Sequence, residues 1–180
     1  FRARIGIWRR LFAMSFPRAT IDGAALRNNL ELVRRLAPRS RVLAMIKADA
    51  YGHGMVETAR TLSDADAFGV ARFGEALALR DASIAHRIVL VEGAGCAEQV
   101  AAAAQLRLDL VVHSFEQIAM LEQARADARF DVWLKIDTGM NRLGFRTEEF
   151  PAALRRLQAC AATRSLQLMT HLALAEDCNG

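Results

Sequence analysis

The sequence predicts an α/β fold built on a parallel sheet, and three observations predict it. From Ala19 onward, short β-branched apolar runs alternate with amphipathic helical segments. Most successive runs start roughly 20–30 residues apart, the length of one βα unit. The runs are continuously apolar rather than alternating, as expected of strands buried on both faces. Each run also ends on a polar or ionisable residue: Lys47, Arg72, Glu92, His113, Lys135 with Asp137, and His171. An open doubly wound sheet gathers its ligand at one switch point, whereas every strand of a barrel faces one mouth. The strand ends therefore favour a partial (β/α)8 TIM-type barrel with about six of the eight βα units.

Taken in order, Asp22 is placed to cap a helix running to Leu36, whose Leu26, Leu30, Val33 and Leu36 follow helical spacing. Pro38 stops it. Strands follow at Val42–Ile46, Ala67–Val70, Ile88–Val91, Leu108–Val112, Val132–Ile136 and Leu166–Thr170. Helices are expected between them, at Gly74–Arg80, Ala97–Leu106, Phe115–Arg125 and Pro151–Ala162, with a further one starting near Met55.

With 180 residues, 53% of them hydrophobic, the chain can bury a sizeable core. The net charge of +4 comes from scattered Lys and Arg, apart from a basic cluster over Arg2–Arg10, which reads as a solvated surface rather than a nucleic-acid footprint. Cys96, Cys160 and Cys178 form no C-x-x-C pair, which argues against a disulfide framework or a zinc site and suits a reducing, cytoplasmic setting. No run of about 18 apolar residues is present, so no transmembrane helix is expected. Residues 1–13 mix Arg with bulky apolar side chains. They read as upstream sequence ahead of a start at Met14 rather than as a targeting peptide.

The strongest local feature is Ile46-Lys47-Ala48-Asp49-Ala50-Tyr51-Gly52-His53-Gly54. A lysine at the end of a buried strand is unusual, because an ammonium without a partner is costly to bury. Glycines 52 and 54 permit a tight turn into the next helix, and exposed N–H groups at a helix start can take a phosphate. A strand-end amine beside a phosphate-friendly turn fits a lysine that traps a phosphorylated aldehyde. The bland alternative is a lysine whose ammonium reaches solvent along an apolar stem. His53 reads as a residue that orders the turn, His113 as a polar strand end, and His86 as part of a loop. No His or Cys pair has metal-ligand spacing, so no metal is expected.

The segment KADAYGHG (47–54) resembles the cofactor-lysine motif of alanine racemases. Lys135-Ile136-Asp137-Thr138-Gly139-Met140-Asn141-Arg142-Leu143-Gly144-Phe145 resembles a second N-terminal signature of that family, and Thr170-His171-Leu172-Ala173-Leu174-Ala175-Glu176-Asp177 a third. Leu172 and Leu174 depart from the third motif, which has an aromatic after the histidine and smaller or polar residues at the second position. Arg18–Asp22 with Leu26–Asn29 resembles the family's opening strand and helix, so the likeness spans residues 17–180.

The resemblance implies a barrel domain followed by a C-terminal β domain lying beyond residue 180, a homodimer, and pyridoxal 5'-phosphate as cofactor for interconverting L- and D-alanine. It implies that Lys47 bonds the cofactor aldehyde and acts as one of two catalytic bases, and that Tyr51 lies near the cofactor phosphate. Arg142 would lie by the phenolic oxygen and the substrate carboxylate, and His171 beside the pyridine ring. Lys135 matches a lysine that is often carbamylated; the alternative is an unmodified Lys135 paired with Asp137. The second base would be a tyrosine of the partner subunit's β domain, since Tyr51, the sole tyrosine here, has another role. The 180 residues alone are therefore expected to have negligible activity. Two rival readings share these residues: a racemase of another or broader amino-acid range, and a non-enzymatic pyridoxal-phosphate-binding barrel protein. The second has no use for a carboxylate-binding Arg142.

Overall fold

In a computed structural model of the chain, the structure describes residues 18–175. The expectations for residues 1–13 and Met14, and for Glu176, Asp177 and Cys178, lie outside them. Six strands form one sheet in sequential order, β1 (Leu43–Met45), β2 (Ala67–Val70), β3 (Ile88–Leu90), β4 (Leu108–Val112), β5 (Phe130–Lys135) and β6 (Thr163–Met169). Every neighbouring pair is parallel. Sequential order with parallel pairing is the signature of a barrel wall, not of a doubly wound sheet that reverses direction about its first strand. Strands β1 and β6 do not pair with each other, so the wall is an arc and not a closed ring.

The helices are α1 (Gly23–Leu36), α2 (Met55–Thr61), α3 (Phe73–Asp81), α4 (Ala97–Gln105), α5 (Phe115–Glu122) and α6 (Phe150–Ala159). Asp22 caps α1, its Oδ1 accepting from the amides of Ala24 (2.8 Å) and Ala25 (3.2 Å). The core lies between the helices and the outer face of the sheet: Phe68, Val70, Ile88, Leu90, Leu110, Val132 and Leu134 meet Ala76, Leu79, Ile118, Leu121 and Leu157, all at most 2% exposed. Because side chains alternate along a strand, the intervening residues form the inner face: Gly69, Val89, Asp109, Val111, Asp131, Trp133 and Lys135.

Two expectations are corrected. Residues 18–21 carry no strand, because no other strand among the described residues offers their backbone a partner. Strand β6 begins at Thr163, earlier than its apolar run, because the polar Ser165 pairs with Asp131 of β5.

The inner face holds a closed polar network at the N-terminal end of the strands. Arg87 Nε donates to Asp109 (2.6 Å) and a second guanidinium nitrogen to Asp131 (3.2 Å). Arg164 bonds both oxygens of Asp131 (3.0 and 2.8 Å), Ser165 donates to it (2.5 Å), and the Trp133 indole donates to Asp109 (2.9 Å). Asp131 is held down to about 2, with the Arg164 hydrogen bonds as the main cause. Asp109, 4% exposed, is instead pushed up: loss of water outweighs Trp133 and Arg87, and Asp131 repels it. A cavity of about 390 Å³ opens on this end, lined by Arg80, His86, Arg107 and the network.

Candidate active site at the C-terminal ends of the strands

Lys47 follows β1 directly. It is half-buried, next to the fully buried Ile46, and it opens a single helical turn, Lys47–Gly52. Within that turn Ala48, Asp49, Ala50 and Tyr51 all have left-handed backbones (φ 52 to 55°). Left-handed conformation costs a residue with a Cβ roughly 1–2 kcal/mol, so four in a row persist only where the surroundings hold them. At its start the Ile46 amide donates to Gly69 O (2.9 Å) and the Ala48 amide to Glu75 (2.6 Å). At its end Asp49 Oδ1 accepts from the Met55 amide (2.7 Å), the Gly54 amide donates to Asp49 O (3.0 Å), and the His53 ring nitrogen Nδ1 lies 2.9 Å from Ala50 O. His53 thus orders the turn, as its sequence context predicts.

One sequence expectation changes here. The first amide of α2 is taken by Asp49, so the Met55 helix start does not present that N–H to a phosphate. Tyr51 is 61% exposed on the same turn, and Asp49 and His53 beside it are exposed too.

On β5 the inner-facing row Asp131, Trp133, Lys135 ends in a lysine that is only 7% exposed. Burial lowers its proton affinity, Asp137 raises it, and Arg142 lowers it again. Asp137 Oδ1 accepts from the amides of Gly139 (2.9 Å) and Asn141 (3.0 Å), and Asp137 makes no ion pair within 4 Å among the described residues. Those backbone bonds are the main reason its carboxyl sits below the usual range.

The segment between Asp137 and Phe145 is a loop that folds back onto its own strand. The Phe145 amide donates to Lys135 O and the Asp137 amide to Phe145 O, both at 2.9 Å. Gly144 (φ +133°) makes this possible, because a Cβ there would stand 2.5 Å from Asp137 N and 2.8 Å from Ile136 C. The loop carries Arg142, exposed and without an ion pair among the described residues. Thr138 bonds Thr170 (2.7 Å), and Thr170 donates to Ile136 O (3.0 Å), tying the β5 and β6 ends together. His171, the next residue, is exposed there, as are Leu172 and Leu174. Lys47, Tyr51, Lys135, Arg142 and His171 thus all stand at one end of the sheet, on three strands.

The remaining strand ends do structural work. The His113 ring nitrogen lies 3.0 Å from Glu92 O, and the His86 ring donates from Nε2 to Ser63 O (2.7 Å) while lying 4.9 Å from the Phe68 ring. Glu75, which the sequence reading did not single out, is the side chain that reaches the Lys47 turn from α3. Its signal was a glutamate three residues after Arg72, the third-position acceptor of a helix start.

A family model described as alanine racemase, N-terminal domain, matches residues 21–179. The chain belongs to that family. Among curated relatives, the alanine racemase of Nitrosococcus oceani is 50% identical over 165 residues, 91% of this chain and 46% of the relative. The chain thus spans about half the length of the curated alanine racemases it matches. Among solved structures, the biosynthetic alanine racemase of Pseudomonas aeruginosa superposes with a TM-score of 0.84 at 42% identity, covering 89% of this chain and 45% of that one. A histidine racemase of Leuconostoc mesenteroides superposes with a TM-score of 0.77 at 28% identity, over 88% of this chain and 44% of that one. The likeness bears out the partial barrel read from the strand pattern. No helix among the described residues is long and apolar enough to cross a membrane.

Proposed function

We propose that the protein carrying this chain is a pyridoxal-5'-phosphate-dependent alanine racemase that interconverts L- and D-alanine, as a cytoplasmic homodimer completed by a C-terminal β domain. The observation that carries the reading is the half-buried Lys47, set at the exit of β1 on a turn whose backbone is bonded on both sides.

The residues fit the cofactor. A phosphorylated, phenolic aldehyde brings two anionic groups and an electrophile; the strand ends offer one amine and the cations Lys135 and Arg142 without carboxylates in contact. When bound, the cofactor supplies an aldehyde that captures amines and a ring that delocalises the electron pair left by the departing α-proton. Lys47 would hold the aldehyde, and its amine would take or return the substrate α-proton on one face. Arg142 presents a planar fork to a carboxylate or phenolate. Tyr51 would offer its hydroxyl to the phosphate, and His171 would stand by the ring. Stereochemical inversion needs a second acid/base on the opposite face, which we assign to a tyrosine of the partner subunit.

Two cations near one site repel, and Lys135 has no ion pair to offset this. Its lowered proton affinity keeps more of the amine neutral and able to take up carbon dioxide as a carbamate. The anion so formed would steady Arg142. Against the unmodified alternative, Asp137 and Lys135 make no ion pair within 4 Å. The likeness to a histidine racemase supports a second reading, a racemase of other or broader range on the same Lys47 and Arg142.

The test is formation of D-isomers from a panel of L-amino acids by the complete protein with added pyridoxal phosphate. Alanine should turn over fastest, and Lys47→Ala should lose more than about a hundredfold. Preference for another amino acid would select the second reading, and no turnover of any would overturn both.

A further inference from the structure

We propose that Glu75 is a positioning residue for Lys47, fixing the Lys47–Ala48 peptide by accepting the Ala48 amide; this rests on the reading of Lys47 as the cofactor-bonding amine. The need for such a group follows from the turn itself. Ala48 to Tyr51 are left-handed without glycine, and the first of them is the residue directly after the amine. If that backbone relaxes toward an ordinary conformation, the direction in which Lys47 leaves the strand changes with it.

Glu75 is built for the task. It stands at the third position of α3, where a side chain ordinarily reaches back to its own helix start. One oxygen does so, accepting from the amides of Ala71 (2.8 Å) and Arg72 (3.0 Å). The other crosses to the neighbouring unit and accepts from the Ala48 amide at 2.6 Å. The corresponding residues of the next two helices show what is particular here. Gln99 bonds only its own turn, at the Gly95 amide (2.9 Å). Gln117 also reaches the preceding unit, but it donates from Nε2 to Glu92 O (2.9 Å) while its oxygen accepts the His113 amide (2.8 Å). The Lys47 turn presents an N–H where the unit before Gln117 presents the carbonyl of Glu92. Only a group that accepts on both oxygens satisfies three N–H donors at once, and a carboxylate is that group. An amide at position 75 must face one set of donors with its own NH2.

The test uses the complete protein, pyridoxal phosphate and borohydride, with the adduct located by peptide mapping, and kcat and KM for alanine measured alongside. Glu75→Gln, of the same size, should lower both the fraction labelled at Lys47 at limiting cofactor and kcat by about tenfold to a hundredfold, the scale of a small misplacement of a reacting group. KM should move little. Glu75→Asp keeps a carboxylate for its own turn but is one methylene short of Ala48; it should show the same loss at smaller size, and it serves if the glutamine variant fails to fold. Gln99→Ala removes a helix-start bond of the same type without touching the Lys47 turn, and should leave labelling unchanged. Labelling and kcat at parental levels in both Glu75 variants, or an equal loss in Gln99→Ala, would overturn the positioning role. Absence of label at Lys47 in the unaltered protein would overturn the reading of Lys47 itself, and the proposal with it.

Discussion

At the N-terminal ends of the strands, Arg87 and Arg164 meet Asp109 and Asp131 at 2.6 to 3.2 Å. At the C-terminal ends, Lys47, Lys135 and Arg142 have no carboxylate within 4 Å among the described residues. The backbone follows the same division. The network end carries a register shift, at Phe130/Asp131, and a left-handed residue, Arg107, whereas the other end holds four consecutive left-handed residues and the glycine loop of Arg142. Asp109 and Asp131 are paired with Arg87 and Arg164 at one end, whereas the buried Lys135 at the other has no carboxylate partner among the described residues, a costly arrangement that suits the anionic ligand proposed for that end. The paired end serves stability, as the lower face of a barrel does.

The comparison can be broken at either end. The largest effect is expected at Gly144, where a side chain would press on the backbone of Ile136 and Asp137. Gly144→Ala should cost about 2–4 kcal/mol, from left-handed strain and overpacking together, read as a shift in the denaturant midpoint of the complete protein. It should also detach the loop that carries Arg142. A change below about 0.5 kcal/mol would mean that the loop does not fold back on β5 as described.

A smaller, pH-dependent effect is expected at the paired end. The folded state holds Asp131 at about 2 against an ordinary value of 3.8, so its ionised form contributes stability above pH 4 that is lost as pH falls toward 2. The depression corresponds to about 2 kcal/mol. Asp131→Asn should lower stability near neutrality by that order, with the deficit shrinking as the parent is taken through this window. Lys47→Ala, at the other end, should leave the acid profile as it was. A parallel deficit at all pH values would show that Asp131 acts through packing and not through charge.

The strand pattern made the sheet legible. Runs such as Leu108–Val112 and Ile88–Leu90 are buried end to end, so their apolarity carried both their position and their parallel pairing. Lys47 was legible for a related reason: an amine is conspicuous where a buried strand ends. The network was not read, although Asp109 and Asp131 each interrupt an apolar run (LDLVV, FDVWLK) at the second place. An isolated aspartate within such a run signals a buried pair, but its partners Arg87 and Arg164 come from other strands and cannot be chosen by spacing. The left-handed turn escaped for a local reason. Ala48, Asp49, Ala50 and Tyr51 have no intrinsic preference for positive φ, and the bonds that impose it, from Glu75 and Gly69, arrive from β2 and α3.

Lys47 is the side chain on which the function turns. The complete protein, saturated with pyridoxal phosphate, reduced with borohydride and digested, should yield a single labelled peptide containing Lys47, and none from Lys135. Label on Lys135 or elsewhere, or no stable label, would contradict the assignment of Lys47 as the amine that this end of the barrel is built to present.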